Sequence, residues 1–390
     1  MRGLDDIRKR KQVIEQGGVL TIPFPVIGFR GIYQGLEKEQ LIGVSSYSKG
    51  SKTQFSSWAF LYNSIDFCIR HNLEFNVFYC NWEESIERVE QRFYSYLIFK
   101  YFKKRISPTK LRSSGNYKVS DEVLKMLDDS RIKAEMDYWE KHVTYITETN
   151  PTAVWKVVLN HVLKNGRVEK ENYTIKDETT GMDIVKEKIV GYTENNPNTI
   201  NLIFIDHISC CTTERGYTLK QSIDKLVDYC VLFRNIYKVS TIIIQQQNTS
   251  GESAQNIKIN KIRPSKEGLA DSTYTGNYEN VLFGLFSPIK YEIEYYAGYQ
   301  IKNGFGDNIR FLECVLNRDG AASAGELMPL FFDGAVSWYH ELPSSVDLNK
   351  KETLNKWYSL ARKYHDEKKK VVNNPKETQL DLEFLNEILK

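Results

Sequence analysis

The residues best suited to chemistry lie in one short loop of small and basic residues. An apolar run, Leu41 to Val44, leads into the loop, which ends in Lys52 and Thr53 before a helix-compatible run from Phe55. Such a loop directs backbone N–H groups at phosphates near a positive helix end, and adds a lysine and a hydroxyl that binds Mg²⁺. We predict a nucleotide-phosphate site formed by Ser46, Tyr47, Ser48, Lys49, Gly50, Ser51, Lys52, Thr53 and Gln54.

The loop departs from the usual phosphate-loop pattern, G-x-x-x-x-G-K-[ST], at both glycines, which are Ser46 and Ser51 here. The second glycine normally adopts backbone angles that side chains disfavour. Two interpretations follow: either Gly50 supplies the missing conformational freedom, or nucleotide binding is weakened. A chance loop rich in serine and lysine is the plainer alternative.

Three further polar residues stand at the ends of apolar runs typical of buried strands. These are Glu83, Asp206 and Gln246. The carboxyl ends of parallel strands lie at one edge of a sheet, where ligand sites collect. We therefore expect Asp206, together with Thr53, to bind a magnesium ion, Glu83 to polarise a water molecule, and Gln246 to contact the terminal phosphate. The plain alternative is structural, because such residues also cap helices and begin loops.

The distribution of apolar runs predicts the fold class and the domains. Short β-branched runs separated by helical segments indicate an α/β fold with a central, mostly parallel sheet flanked by helices. Strands are predicted at 41–44, 75–80, 143–146, 200–205, 239–244, 281–286, 311–316 and 327–332. The predicted domains are a short N-terminal linker-like helix (1–18), a nucleotide-binding domain (19–343) with an insertion at about 167–199, and a helical C-terminal tail (344–390) outside the core.

Composition limits the compartment and the partners. The net charge of +3 provides no global cationic field, so contacts with DNA must come from local patches. The six cysteines form no Cys-x-x-Cys pair and are expected to be reduced core residues. The sequence has no apolar stretch of 18 residues, and its N-terminus is too charged for a signal peptide. We expect a soluble, cytoplasmic protein without a membrane segment.

The order and the local sequences of these segments resemble those of the ATPase domain of DnaB-type replicative DNA helicases, which has a RecA-like fold. The resemblance runs from about residue 17 to residue 343. It rests on the phosphate loop, on 78–83 followed by Arg92, on 202–208, on 243–248 and on 317–320. The nine-residue spacing from Glu83 to Arg92 matches the family and selects Glu83 rather than Glu84 as the catalytic base.

The resemblance implies a P-loop NTPase that hydrolyses ATP with Mg²⁺ and translocates on single-stranded DNA during replication. It implies a ring, commonly hexameric, with nucleotide at the subunit interfaces and with Arg318 reaching a neighbour's γ-phosphate. Lys52 would contact phosphate, and Gln246 would couple phosphate to the DNA loops. The DNA lining is expected from Arg215, Lys258, Lys261, Arg263 and Lys266. A solvated charged loop is the alternative reading of these cations.

Several family features are replaced in this chain. Leu316, Thr249 and Ala270 stand where the family has a lysine and two arginines, and we expect no counterpart of the family's N-terminal primase-binding domain. Two alternatives therefore stay open: a RecA/RadA-like recombination ATPase, and a DNA-binding or replisome scaffold protein with degraded ATPase activity. Residues 379–384 resemble a bacterial sliding-clamp-binding peptide, and a primase or loader is a further candidate partner. The high Lys, Asn, Ile and Tyr usage suggests an AT-rich genome, such as that of a bacteriophage.

Overall fold

The structure, a computed structural model, describes residues 2–115, 117–176, 181–258, 262–320 and 326–373. Its strands are β1 (Ile22–Pro23), β2 (Gly35–Leu36), β3 (Leu41–Ser46), β4 (Glu74–Asn81), β5 (Val143–Tyr145), β6 (Gly166–Lys176), β7 (Asp183–Glu194), β8 (Thr199–Asp206), β9 (Ser240–Gln246), β10 (Val281–Phe286), β11 (Tyr295–Tyr296), β12 (Tyr299–Gln300), β13 (Ile309–Asn317), β14 (Leu327–Asp333) and β15 (Trp338–Glu341). Its α-helices are α1 (Arg2–Glu15), α2 (Lys52–Ser56), α3 (Asn63–His71), α4 (Ile86–Phe102), α5 (Pro108–Leu111), α6 (Asp121–Leu127), α7 (Ser130–His142), α8 (Pro151–Lys164), α9 (Leu219–Tyr237), α10 (Ala254–Lys258) and α11 (Lys351–Asn373). The predicted clamp-binding segment, 379–384, lies outside the described residues.

A nine-stranded sheet organises the molecule, in the order β15-β14-β13-β10-β3-β9-β8-β4-β5. The six strands from β10 to β5 are parallel, and β13, β14 and β15 continue the sheet antiparallel at one edge. Every residue of β3, the central strand, is buried. The predicted α/β class, the mostly parallel sheet and the eight predicted strands are confirmed.

Helices cover both faces of the parallel strands, which explains why these strands are mostly apolar. In β8, Leu202 and Phe204 pack into the core under α3, α4 and α7, whereas Ile203 and Ile205 pack under α8 and α9. All eight residues of β8 are buried, including its last residue, Asp206. The run of apolar side chains therefore ends where a carboxylate is placed at the carboxyl edge of the sheet.

The C-terminal helix α11 belongs to the packed core. Its stripe of Leu354, Trp357, Leu360 and Tyr364 is buried against the antiparallel edge of the sheet, and the Trp357 ring centroid lies 4.8 Å from that of Phe331 on β14. The prediction that the segment from 344 lies outside the core is therefore wrong for this helix. Its apolar stripe covers an edge that would otherwise face water.

Two peripheral segments project from the sheet. Within the predicted insertion, β6 and β7 form an antiparallel hairpin that pairs from Gly166 opposite Glu194 to Lys176 opposite Asp183, with a shift of register after Glu169. Helix α1 contacts the body through an ion pair between Arg10 and Glu37 (2.6 Å), while its large apolar side chains are exposed. That exposed set is Leu4, Ile7 and Ile14.

The prediction for the cysteines is confirmed: all six are free thiols, and all except the half-buried Cys210 are buried. Across the described residues, no helix combines the length and the apolar character needed to cross a membrane.

Candidate nucleotide site

A hydroxyl and a carboxylate meet at the carboxyl edge of the parallel strands. Thr53, in the first turn of α2, donates a hydrogen bond from its Oγ1 to Oδ1 of Asp206 at 2.9 Å. The Tyr79 hydroxyl approaches the other oxygen of Asp206 at 3.4 Å. Burial raises the pKa of Asp206, against the opposing effects of the Thr53 hydrogen bond and the Arg92 charge. The sequence therefore places one carboxylate and one hydroxyl together, as predicted for the metal position.

Lys52, the first residue of α2, lies beside these groups. Burial lowers the pKa of its ammonium, and the nearby carboxylates of Asp206 and Glu83 act in the opposite direction. The Glu83 side chain is 54% exposed, with a carboxylate oxygen 3.7 Å from Nε2 of His207. The loop after β4 thus keeps Glu83 accessible to water and close to the lysine.

The neighbouring acid, Glu84, is engaged differently. It forms an ion pair with Arg92 of α4, whose side chain is only 10% exposed. A carboxylate held by a buried arginine is poorly suited to orient a mobile water molecule, whereas Glu83 is half-exposed and, in the described structure, contacts only the His207 ring nitrogen, at 3.7 Å. The geometry therefore favours Glu83 over Glu84 as the base, which stays a prediction.

Ser51 itself adopts the left-handed conformation that the phosphate-loop glycine usually supplies. Its φ is +65°, and that of Lys49 is +64°. This region costs a non-glycine residue about 1–2 kcal/mol. Gly50 serves another purpose: its φ lies outside the left-handed region, and a Cβ there would stand 2.5 Å from Oγ of Ser46. The suggestion that Gly50 supplies the missing freedom is therefore wrong, because Gly50 instead allows the loop to pack on Ser46.

The Ser51 side chain is tied to the antiparallel edge of the sheet. Nε of Arg310, on β13, donates to its Oγ at 3.0 Å, and the Tyr339 hydroxyl, on β15, donates to the same oxygen at 2.9 Å. Tyr339 also lies 3.1 Å from the backbone carbonyl oxygen of Ser51. These partners were missed at the sequence level. The available signal was Arg310 itself, a cation near the start of a mostly apolar strand.

Gln246 and Arg318 lie at opposite ends of the parallel strands. Gln246 lies at their carboxyl ends, and Arg318 lies at their amino ends. Gln246 ends β9 in register with Ser46 of β3, and its carbonyl oxygen accepts a hydrogen bond from the amide of Ala270 at 2.9 Å. Arg318 follows β13, which runs antiparallel to β10, and its Nε donates to the carbonyl oxygen of Glu279 at 2.9 Å. Arg318 is thus remote from the phosphate loop of its own chain, while Gln246 lies beside that loop.

The predicted DNA-binding cations are not all brought together. Arg215 is exposed in the segment after β8, whereas Arg263 pairs with Glu313 at 3.4 Å. Lys266 packs beside Gly276, and its charge acts on Glu279. Lys258 ends α10, but its side chain lies outside the described part, as does the whole of Lys261.

A buried carboxyl lies between Lys266 and Arg318. Glu279 is fully buried, and neither carboxyl oxygen has a hydrogen-bond partner in the described structure. It fits because Gly43 of β3 has no Cβ, which would otherwise stand 2.3 Å from Oε1. Burial raises the pKa of Glu279 to about 8, and the charges of Lys266 and Arg318 only partly oppose this.

Replacing Glu279 with glutamine is expected to stabilise the protein in alkaline solution. The folded pKa of about 8 exceeds the ordinary value of 4.5, so the acid's contribution to stability is complete below pH 4.5 and lost as the pH rises through 8. The gain in the free energy of unfolding should be about 1 kcal/mol at pH 5 and about 4 kcal/mol at pH 8. Urea denaturation at both pH values, with exposed Glu148→Gln as control, tests this; equal gains at both would contradict it.

The donor set suits a magnesium nucleotide. No group of three or more His, Cys, Asp or Glu side chains able to hold a metal ion occurs in the described ranges. Mg²⁺ bound with phosphates needs only one or two carboxylates, and its remaining ligands are phosphate oxygens, hydroxyls and water. Asp206 and Thr53 supply the carboxylate and the hydroxyl, and Lys52 supplies the adjacent cation. The residues present therefore fit the predicted ATP and Mg²⁺.

Comparison with known proteins gives similarity at the level of structure. No family model and no curated protein matches the sequence. A solved helicase ATPase domain aligns with a TM-score of 0.60 at 12% identity, covering 88% of this chain and 99% of that one. A DnaB-like replicative helicase, in a structure that also addresses its interactions with primase, aligns with a TM-score of 0.60 at 12% identity over 86% of this chain and 68% of that one. The chain therefore has the RecA-like fold of the ATPase domains of DnaB-like helicases.

Proposed function

We propose that this chain is an ATP-driven DNA motor of the DnaB type, acting as an oligomeric ring on single-stranded DNA during replication. The observation that carries the proposal is the hydrogen bond between Thr53 and Asp206, with Lys52 and Glu83 beside it, at the carboxyl edge of a RecA-like sheet. That set contains a lysine that can bind phosphate, a hydroxyl–carboxylate pair that can bind a metal ion, and a carboxylate accessible to water. ATP hydrolysis requires each of these roles.

Each residue of the site is proposed to have a separate role. Lys52 and the N–H groups of the loop would hold the phosphates, and Thr53 and Asp206 would hold Mg²⁺, which supplies charge neutralisation of the phosphates. Glu83 would accept a proton from the attacking water. Gln246 would couple the presence of the terminal phosphate to the segment that follows β9. Its backbone carbonyl oxygen accepts a hydrogen bond from the amide of Ala270 in that segment.

The oligomer is proposed from the position of Arg318. It lies at the edge of the sheet opposite to its own phosphate loop, so that a role at a γ-phosphate requires a second subunit. Arg215 and the cations of 258–266 are proposed to face single-stranded DNA, with Arg263 first releasing Glu313. A primase or loader is a further proposed partner, and a phage origin stays a prediction.

One observation bears on the alternative of a DNA-binding scaffold with degraded ATPase activity. That alternative had two grounds, the altered phosphate loop and Ala270 in place of an arginine; on the first, Ser51 adopts the φ that a phosphate loop needs. This supports the motor over the scaffold. A RecA/RadA-like recombination ATPase would use the same site, and unwinding of a forked duplex, as opposed to strand exchange, separates the two.

Lys52→Ala is expected to abolish DNA-stimulated ATP hydrolysis and to weaken Mg·ATP binding about 10- to 100-fold, because a charge-assisted contact to phosphate is lost. Phosphate release with and without single-stranded DNA measures the first effect, and a fluorescent nucleotide measures the second. Lys49→Ala removes an equal charge from the same loop and should lose less. The motor proposal fails if the unmutated protein binds DNA but shows no turnover.

A further inference from the structure

The strained residue of the phosphate loop has unusually complete side-chain support. Ser51 is the N-cap residue of α2, and its carbonyl oxygen accepts the first helical hydrogen bond, from the Phe55 amide at 2.9 Å. Its hydroxyl accepts from Arg310 and Tyr339 and donates to the carbonyl oxygen of Gly50. One donor and two acceptor positions are all that a serine hydroxyl has, so its hydrogen-bonding capacity is fully used.

The two donors are themselves rigidly held. Arg310 is 2% exposed and its other nitrogens donate to the backbone carbonyls of Asp307 and Ile309 and to the Asp307 carboxylate. Its guanidinium also lies 4.4 Å from the centroid of the Phe332 ring. A cation fixed in this way supplies a donor at a defined point and does not follow a mobile loop.

Tyr339 is equally constrained. It is 1% exposed, and its ring packs against Phe55, Trp58 and Phe332 at centroid distances of 5.5, 5.2 and 4.8 Å. Its hydroxyl therefore reaches both the Oγ and the carbonyl oxygen of Ser51 from a fixed position. These two side chains come from β13 and β15, at 259 and 288 residues from Ser51 along the chain.

We propose that Arg310 and Tyr339 are positioning residues that hold Ser51 in the left-handed conformation, so that a side-chain latch replaces the glycine of the phosphate loop. A glycine takes this conformation without support, whereas serine needs external contacts to keep it populated. Because Lys52 and Thr53 follow Ser51 directly, the latch fixes the start of α2 and the direction of both side chains. Its role in binding nucleotide rests on the proposed function.

A double-mutant cycle tests the latch. Tyr339→Phe keeps the ring and removes only the hydroxyl, and Ser51→Gly removes the need for support. We expect Tyr339→Phe to weaken binding of a fluorescent Mg·ADP analogue about fivefold and Ser51→Ala about tenfold, because hydrogen bonds to the strained residue are lost. Ser51→Gly is the reference for the second arm of the cycle, because glycine adopts the left-handed conformation without side-chain support. Tyr339→Phe should cost less than about twofold when combined with Ser51→Gly.

Hydrogen exchange of the amides of residues 50–53, without nucleotide, gives a second measurement of the same cycle. Tyr339→Phe should speed this exchange, and adding Ser51→Gly should reverse most of the effect. Arg310→Lys, which keeps the charge but moves the donor, should show the same dependence on residue 51. Thermal unfolding of each variant establishes that the comparison is between folded proteins.

The outcomes distinguish a failure of the latch proposal from a failure of the proposed ATPase function. Equal losses from Tyr339→Phe with serine and with glycine at position 51 would show that the Tyr339 hydroxyl acts independently of the side chain at position 51 and would overturn the latch. Unchanged binding and exchange in Tyr339→Phe would also overturn it. If the unmutated protein binds no nucleotide while exchange still shows the dependence on residue 51, the latch stands and the proposed ATPase fails.

Discussion

Glu83→Gln is expected to lower DNA-stimulated ATP hydrolysis by about 10²–10⁴-fold while leaving nucleotide affinity nearly unchanged. The amide keeps the size of the side chain but cannot accept a proton from water. Glu83 is half-exposed and lies next to Lys52 and His207, so its loss does not remove a buried contact. Steady-state phosphate release and equilibrium binding of Mg·ATP, measured on the same preparation, give the two quantities.

Glu84→Gln is the matched control, because it makes the same chemical change one residue away. It weakens the ion pair with Arg92, so we expect a lower unfolding temperature. Hydrolysis per folded molecule should fall far less than in Glu83→Gln. The reverse result, with Glu84→Gln inactive and Glu83→Gln active, would move the base to Glu84.

Arg318→Ala is expected to lower hydrolysis by about 10³-fold or more, the effect typical of an arginine that stabilises the γ-phosphate. The position of Arg318 allows a sharper experiment, since the arginine and its target site would belong to different subunits. Mixing inactive Arg318→Ala with inactive Glu83→Gln should restore activity. An interface that joins an intact Glu83 from the first variant to an intact Arg318 from the second is complete.

Random mixing at equal amounts makes roughly a quarter of the interfaces complete, because each of the two positions is filled correctly half of the time. The activity of the mixture should therefore approach a quarter of that of the unmutated protein after subunit exchange. Glu83→Gln mixed with Lys52→Ala is the control, because both defects lie in the same site and no interface becomes complete. A mixture of Arg318→Ala and Glu83→Gln that stays inactive would contradict action between subunits.

The parallel part of the fold was predictable because burial on both faces leaves a clear record in the sequence. A strand such as β8 is therefore mostly apolar, and its apolar run from Leu202 to Ile205 ends visibly at Asp206. The polar residues at the carboxyl ends of such strands must share an edge, so Thr53 and Asp206 were expected together. Both inferences use only short-range sequence and the geometry of parallel sheets.

The support of Ser51 was not predictable in the same way. Whether a serine can hold a positive φ depends on donors that reach it in space, and Arg310 and Tyr339 come from strands far along the chain. The packing of α11 was missed for a related reason, since its stripe identifies an apolar face but not what covers it. Sequence periodicity identifies which face of an element is buried, but it does not identify the residues that pack against that face.

The central place of β3 in the sheet has a consequence for how the protein is made. Its neighbours are β9 and β10, so that Leu41 pairs with Thr241, 200 positions later, and Ile42 pairs with Val281. At about 5–20 residues per second, the ribosome needs roughly 10–40 s to supply the first partner. The strand that begins the nucleotide site is thus made early and obtains its neighbours late, and in that interval the nascent chain carries an unpaired apolar strand.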